Sequence, residues 1–212
     1  MAKEAKGELR IVKTFKDGAA LFSNGMIRTG VVRLCFVNFK KAKVSEDDDG
    51  NERESYGCTV LIPKGADLTP YRLACQQFGK KELGDRYNKL KRKEPLRKQD
   101  EKSGDYDGFE DGAWFLNVTS KYKPRVTGRA KEEIELDAFY SGCYARLTLR
   151  PYHYGMSDKK KTKGNSGIGL GLAGAQFIRD GEPLGAGGVD PNDVFDAEEG
   201  EDMEMDDGDG LL

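Results

Sequence analysis

The chain has 212 residues, with 35 Lys and Arg against 37 Asp and Glu, a single His and four Cys. That length suits one domain with appendages and is enough to bury a real core. It holds no apolar run long enough to cross a bilayer, and Met1-Ala2-Lys3-Glu4 opens no signal peptide, so a cytoplasmic protein without membrane contact is expected.

Charge is spread unevenly. From Asp190 to Leu212 there are 11 acids and no Lys or Arg, which leaves 26 acids against all 35 bases in the remainder, a net of +9. A basic body joined to an acidic tail points to polyanion binding. Cys35, Cys58, Cys75 and Cys143 are far apart and show no CxxC spacing. Buried thiols in a reducing compartment fit better than a zinc site or a disulfide framework.

Residues 1–29 are mixed and weakly periodic and read as an N-terminal extension. Leu9-Arg10-Ile11-Val12 suits a short strand, and Asp17-Gly18 and Asn24-Gly25 are turn signals. From Gly30 the pattern sharpens. Val32, Leu34 and Phe36 alternate with Arg33, Cys35 and Val37, a first strand. Beyond it Phe39 sits among Lys40, Lys41 and Lys43, which suits a nucleic-acid patch or an ordinary solvated strand end. A polar loop over 45–54 leads to a second strand, with Tyr56, Cys58, Val60 and Ile62 on one face and Pro63 as its stop.

Thr69 as N-cap and Pro70 at the first helical position start a helix with the apolar stripe Tyr71, Ala74, Cys75 and Phe78. Gly79 and Gly84 weaken its end, and a basic loop follows over 89–102. Asp105 to Gly112 has scattered acids, but Phe109 occupies a position where a calcium loop needs a ligand, so a turn is expected. The next strand, 113–121, puts Trp114, Leu116 and Val118 on one face and Phe115, Asn117, Thr119 and Lys121 on the other. Tyr122-Lys123-Pro124-Arg125 follows as a basic loop with a ring inside it.

The most informative stretch runs from Phe139 to Tyr154. With period two, Cys143, Ala145, Leu147 and Leu149 form an apolar side. Tyr144, Arg146, Thr148, Arg150, Tyr152 and Tyr154 form the other, which contains no acid. Rings that stack bases and cations that hold phosphates make a single-strand platform of such a face, though a wet sheet face would carry them too. His153 falls on the aliphatic side and reads as a packed strand end. No nucleophile–base set is anchored anywhere, and no cofactor or metal is called for. Gly169, Gly171 and Gly174 match GxGxxG, but a lysine-rich loop precedes them and a short strand follows, so glycines at a bent strand or bulge are expected.

Short strands, one helix and a basic aromatic face suggest a mainly β, OB-like Greek-key barrel with one inserted helix. Five segments carry a more specific likeness: Val32–Asn38, Val60–Lys64, Phe115–Asn117 with Ser120-Lys121, Phe139–Tyr144 and Arg179–Gly185. In order and spacing the chain resembles the small bacteriophage single-stranded DNA-binding proteins over a domain of about 30–186, followed by an acidic tail, 187–212, expected to be disordered. The resemblance implies a non-enzymatic protein that coats single-stranded DNA in phage replication, recombination or repair inside an infected bacterial cell. It also implies a tail that meets phage or host replication proteins. That tail is expected to compete with DNA for the basic body. Many acidic-tailed binders end in a ring, whereas this chain reads Asp209-Gly210-Leu211-Leu212. The candidate DNA-binding residues are Arg33, Phe39, Lys41, Lys43, Lys121, Tyr122, Lys123, Arg125, Tyr144, Arg146, Arg150, Tyr152 and Tyr154. Weaker duplex binding and self-association are left open, and a carboxylate nuclease or a duplex-binding architectural protein stands as the alternative.

Overall fold

The computed structural model describes residues 9–46, 51–89, 93–154 and 166–185. The acidic tail and the lysine-rich segment 158–165 lie outside them. In chain order the strands and helices begin with β1 (Ile11–Thr14), β2 (Ala20–Phe22), β3 (Ile27–Arg28), β4 (Val32–Glu46) and β5 (Glu52–Ile62). Helices α1 (Thr69–Leu83) and α2 (Arg86–Lys89) follow, then β6 (Arg97–Lys98), β7 (Trp114–Ser120), β8 (Arg125–Thr127), β9 (Tyr144–Tyr154) and β10 (Gly167–Arg179). The fold is mainly β with one long inserted helix. No helix among the described residues is long and apolar enough to cross a membrane.

β9 is the axis of the sheet. β3 and β4 pair in succession along one of its edges, at Ile27–Leu149 and Val32–Ala145, and β10 takes the whole other edge. β4, β5 and β7 continue outward as antiparallel neighbours. The sheet then curls until β10 comes alongside β7: a Cβ built on Gly171 would lie 3.4 Å from the Thr119 carbonyl. No ladder joins β7 to β10 among the described residues, so the curled sheet stays open along that seam.

The period-two reading of β9 holds through Pro151. Ala145, Leu147 and Leu149 are fully buried, while Tyr144, Arg146, Thr148 and Arg150 face outward. The inward residues join Leu34, Val60, Leu116 and Leu170 in one core, closed by Tyr71, Ala74 and Cys75 of α1. Each fully buried aliphatic side chain contributes about 1.5–3 kcal/mol to folding. Gly79 does not fray the helix. It lets α1 close onto Tyr87 and Ile168, whose side chains a Cβ there would strike. The helix runs on to Leu83, and Gly84 ends it at φ 52°. At the other end Thr69 is the first helical residue rather than the cap. Its N–H donates to the Asp67 carboxylate at 2.8 Å, and the Thr69 side chain and then this N–H hold the Asp67 carboxyl below its usual range.

Residues 9–29, which the sequence sets apart as an extension, pair into the same sheet. β1–β3 extend the sheet, Leu21 and Ile27 enter the main core, and Thr29 is fully buried with its hydroxyl accepting from the Leu147 N–H. The turn signals at Asp17-Gly18 and Asn24-Gly25 fit hairpin connections, but strands of two to four residues are too short to show a period.

A second, smaller core lies on the outer face of the sheet, where Phe109 covers Cys35, Leu61 and Phe115. β5 is therefore buried on both faces from Cys58 to Ile62. All four cysteines are free and buried. Burial pushes the Cys75 thiol up to about 12 and raises those of Cys35, Cys58 and Cys143 as well.

Candidate nucleic-acid interface

The first determinant of the site is a bulge in β4. Pairing with β5 slips between Cys35 and Asn38, and Phe36 adopts a left-handed φ of 50°. Such a slip exchanges the two faces of the strand beyond it. Phe36, two residues from buried Leu34, therefore turns outward and is 45% exposed. Phe39 turns inward, 1% exposed, with its ring centroid 5.3 Å from that of Phe139. The expectation that Phe39 stacks on DNA is thus corrected: it is a core ring, and Phe36 takes the exposed place.

Phe36 belongs to an aromatic cluster. Its ring meets Tyr106 edge-on at 5.4 Å, and Tyr106 is itself 46% exposed. The Lys102 ammonium stands 5.0–5.7 Å from the centroids of Phe36, Tyr106, Phe109 and Phe115, within cation–π range of all four. Buried Gln99 holds this loop in place. Its side-chain amide donates to the Trp114 carbonyl at 2.7 Å, and its side-chain oxygen accepts from the Glu110 N–H at 2.7 Å.

Beside the cluster runs a groove of about 480 Å³ over the outer face of β4, β5 and β7. Phe36, Tyr106, Lys102 and Lys43 line it together with Thr59, Asn117 and Thr119, and none of its lining residues is acidic. The Thr59 hydroxyl donates to the Asn117 side-chain oxygen at 2.7 Å, which fixes the groove floor.

The same outer face continues across the seam onto β10 and β9. There the glycines of the GxGxxG match explain themselves. Gly167 pairs with Tyr154 and Gly169 with Tyr152. A Cβ on Gly169 would sit 2.6 Å from the Tyr152 ring, and one on Gly167 would sit 2.6 Å from the Tyr154 hydroxyl. The missing side chains let both rings lie on the sheet, 6.2 Å apart, with Tyr152 42% exposed. Gly171 ties the two halves together, since a Cβ there would lie near both the Thr119 carbonyl and the Tyr152 ring, at 3.4 and 3.6 Å. Burial raises the Tyr152 phenol above its ordinary range.

The remaining candidates separate into groups. Arg150 lies on the outer face of β9 beside Tyr152 and is exposed. Lys121, Tyr122 and Lys123 form the exposed turn after β7, with Tyr122 79% exposed. Arg125, on β8, and Arg146 line a separate cleft. Lys41 lines a recess with Leu136 and Asp137 on the other side of β4. Tyr144 and Arg33 are engaged in structure: the Tyr144 ring has the Arg179 guanidinium 3.5 Å from its centroid and that of Arg33 at 5.9 Å. Arg33 also donates to the carbonyls of Gly142 and Glu182. The two most specific segments of the family likeness meet here. Gly142 packs on Glu182 and Pro183, and the Tyr140 hydroxyl bonds Asp180 and Gly181.

A family model described as the single-stranded DNA-binding protein of Enterobacter phage Enc34 matches residues 25–207. The chain belongs to that family. It is a family of binding proteins rather than enzymes. The protein p50 of Acyrthosiphon pisum secondary endosymbiont phage 1 is 30% identical over 182 residues, 80% of this chain and 92% of that one. The single-stranded DNA-binding protein from bacteriophage Enc34, solved in complex with ssDNA, superposes with a TM-score of 0.66 at 22% identity. It covers 84% of this chain and 99% of its own. A second structure of that protein gives 0.64 at 23% identity over 89% and 99%. At those identities the likeness establishes the fold. The Enc34 family match begins at residue 25, after β1 and β2, and extends through most of the acidic segment.

Proposed function

We propose that this protein is an OB-type binder that coats single-stranded DNA without sequence preference during phage DNA replication, recombination or repair, in the cytoplasm of an infected bacterium. The observation that carries the reading is the acid-free groove whose exposed rings, Phe36 and Tyr106 at one end and Tyr152 beyond the seam, flank lysines and uncharged polar groups. Every base has a face that stacks on such rings, and the cations track the backbone, so binding is sequence-tolerant and salt-sensitive. Membership in a phage single-stranded DNA-binding family and the Enc34 complex with ssDNA support it.

The acidic tail competes for the same groove and meets phage or host replication proteins when DNA displaces it. Leu184, just before the tail, packs on the Phe109 cluster, and the Phe109 ring lies 6.3 Å from Phe36 and 6.0 Å from Tyr106. The described chain thus ends beside the groove, and a segment tethered there has a high effective concentration. The test is a salt-dependent titration against single- and double-stranded DNA with magnesium present. Preference for the single strand, no cleavage and a steep loss of affinity with salt are expected. A flat salt response or equal affinity for the duplex would contradict the proposal.

A further inference from the structure

A cleft of about 340 Å³ opens on the outer face of β9, away from the stacking groove. Arg28, Arg125, Lys131 and Arg146 line it together with Thr148 and Gln176, and its lining contains neither an acid nor an aromatic ring. Thr148 and Tyr152 share one face of β9, four residues apart, which is roughly 13 Å at the rise of a strand. Exposed Arg150 stands between them. The cleft and the Tyr152 ring therefore lie on one face of β9, with Arg150 between them.

The cleft is built rather than incidental. Arg28 and Arg146 come from different strands and donate to the same carbonyl, that of Gly18, at 3.3 and 3.1 Å. Two guanidinium groups are thus held side by side, and the Arg28 Nε is enclosed with no hydrogen-bond partner. One oxygen of the Asp17 carboxylate, which does not line the cleft, accepts from the Ala19 N–H at 3.0 Å. Across the cleft, Lys131 adopts a left-handed φ of 69°, a position where glycine would be less strained. Its turn is fastened to β10 because the Gln176 amide donates to the carbonyls of Gly128 and Arg129 at 3.3 and 3.1 Å. Like charges gathered this way repel one another until an anion sits among them.

We propose that this cleft is a backbone-phosphate subsite. It receives the phosphodiesters of a strand whose bases are stacked in the groove and which runs on past Tyr152 and Arg150. With no ring to stack on, the bases there face solvent. The subsite adds length-dependent, purely electrostatic affinity. The inference rests on the groove reading above, and it makes the bound strand longer than the groove alone would hold.

The test is the double variant Arg125→Gln/Lys131→Gln, since both side chains are exposed and neither is among the buttressing hydrogen bonds. Wild type, this variant and Tyr152→Ala are titrated with fluorescent oligonucleotides of about 6 and about 30 nucleotides, the shorter lying within the site size of one OB fold. For the longer oligonucleotide the double variant should lose about tenfold in affinity, as two exposed charge contacts imply. Its slope of log affinity against log salt should fall by about 1.4, or 0.7 for each phosphate no longer neutralised. The loss should be much smaller for the shorter oligonucleotide, with an unchanged melting temperature. Tyr152→Ala should weaken both lengths. An equal loss at both lengths, or none at either, overturns the subsite. Wild-type affinity of Tyr152→Ala at both lengths would instead count against the groove, and the two failures are distinct.

Discussion

Leu34 and Phe36 stand two residues apart on β4 and face opposite sides of the sheet, the first fully buried and the second 45% exposed. The bulge that follows Cys35 and includes Phe36 sends Phe36 out and Phe39 in. Phe36→Ala should therefore leave stability nearly unchanged and cost about 1–3 kcal/mol of single-strand binding, the value of one stacked ring. Phe39→Ala should cost about 3–5 kcal/mol of folding stability. Thermal melts and oligonucleotide titrations on the two variants separate these outcomes. Exchanged phenotypes would place the bulge elsewhere.

Tyr152 depends on Gly169 in the same way that a ring depends on the floor beneath it. Gly169→Ala puts a methyl group 2.6 Å from the Tyr152 ring, which must lift or turn. Its single-strand affinity should drop toward that of Tyr152→Ala, and adding it to Tyr152→Ala should cost no more. A double-mutant cycle measures this, because residues in contact fail to be additive. Full additivity would mean that the glycine acts by another route.

The buried thiols give an alkaline limit to stability. Their folded values are raised, so the neutral thiol is the form the fold holds. For Cys75 this stabilisation is complete below the ordinary value of 9.0 and is lost as pH rises from there toward about 12. Cys35, Cys58 and Cys143 shift in the same direction. Melting temperature should fall steadily above pH 9, and thiol reagents should react slowly with the native protein at neutral pH. A melting temperature that stays level beyond pH 10 would contradict this assignment.

Deleting residues 190–212 removes 11 acids and no bases. Single-strand affinity should rise at low salt, by a margin that shrinks as salt screens both contacts. Unchanged or weaker binding after the deletion would reject the competition.

Much of this was legible in the sequence because β9 keeps a period of two as far as Pro151; beyond it His153, which reads as a packed strand end, is exposed. The apolar side of β9 is the core and its polar side is the outer face. The helix showed in the spacing of Tyr71, Ala74 and Cys75. What escaped has physical causes. A bulge inverts the strand parity, and nothing in Phe36-Val37-Asn38 marks it, so the two phenylalanines were exchanged. Lys102 and Tyr106 lie in an aperiodic loop, and their position depends on Gln99 reaching the distant Trp114 carbonyl. Arg33 and Arg146 read as free cations, yet both bind carbonyls more than a hundred residues away along the chain. One available signal was the alternation of Gly167, Gly169 and Gly171. Spaced by two, it marks one face of a strand cleared for cross-strand rings.

The central claim is that single-stranded DNA lies in the groove that runs from Phe36 and Tyr106 over Thr59, Asn117 and Thr119 to Tyr152. Photocrosslinking the full chain to a halogenated oligothymidine, followed by peptide mapping, tests it most directly. Crosslinks should fall on Phe36, Tyr106 and Tyr152, and should disappear as salt releases the DNA. Crosslinks confined to the β1–β2 hairpin, α1 or the Tyr144–Arg179 stack, with none in the groove, would contradict the account.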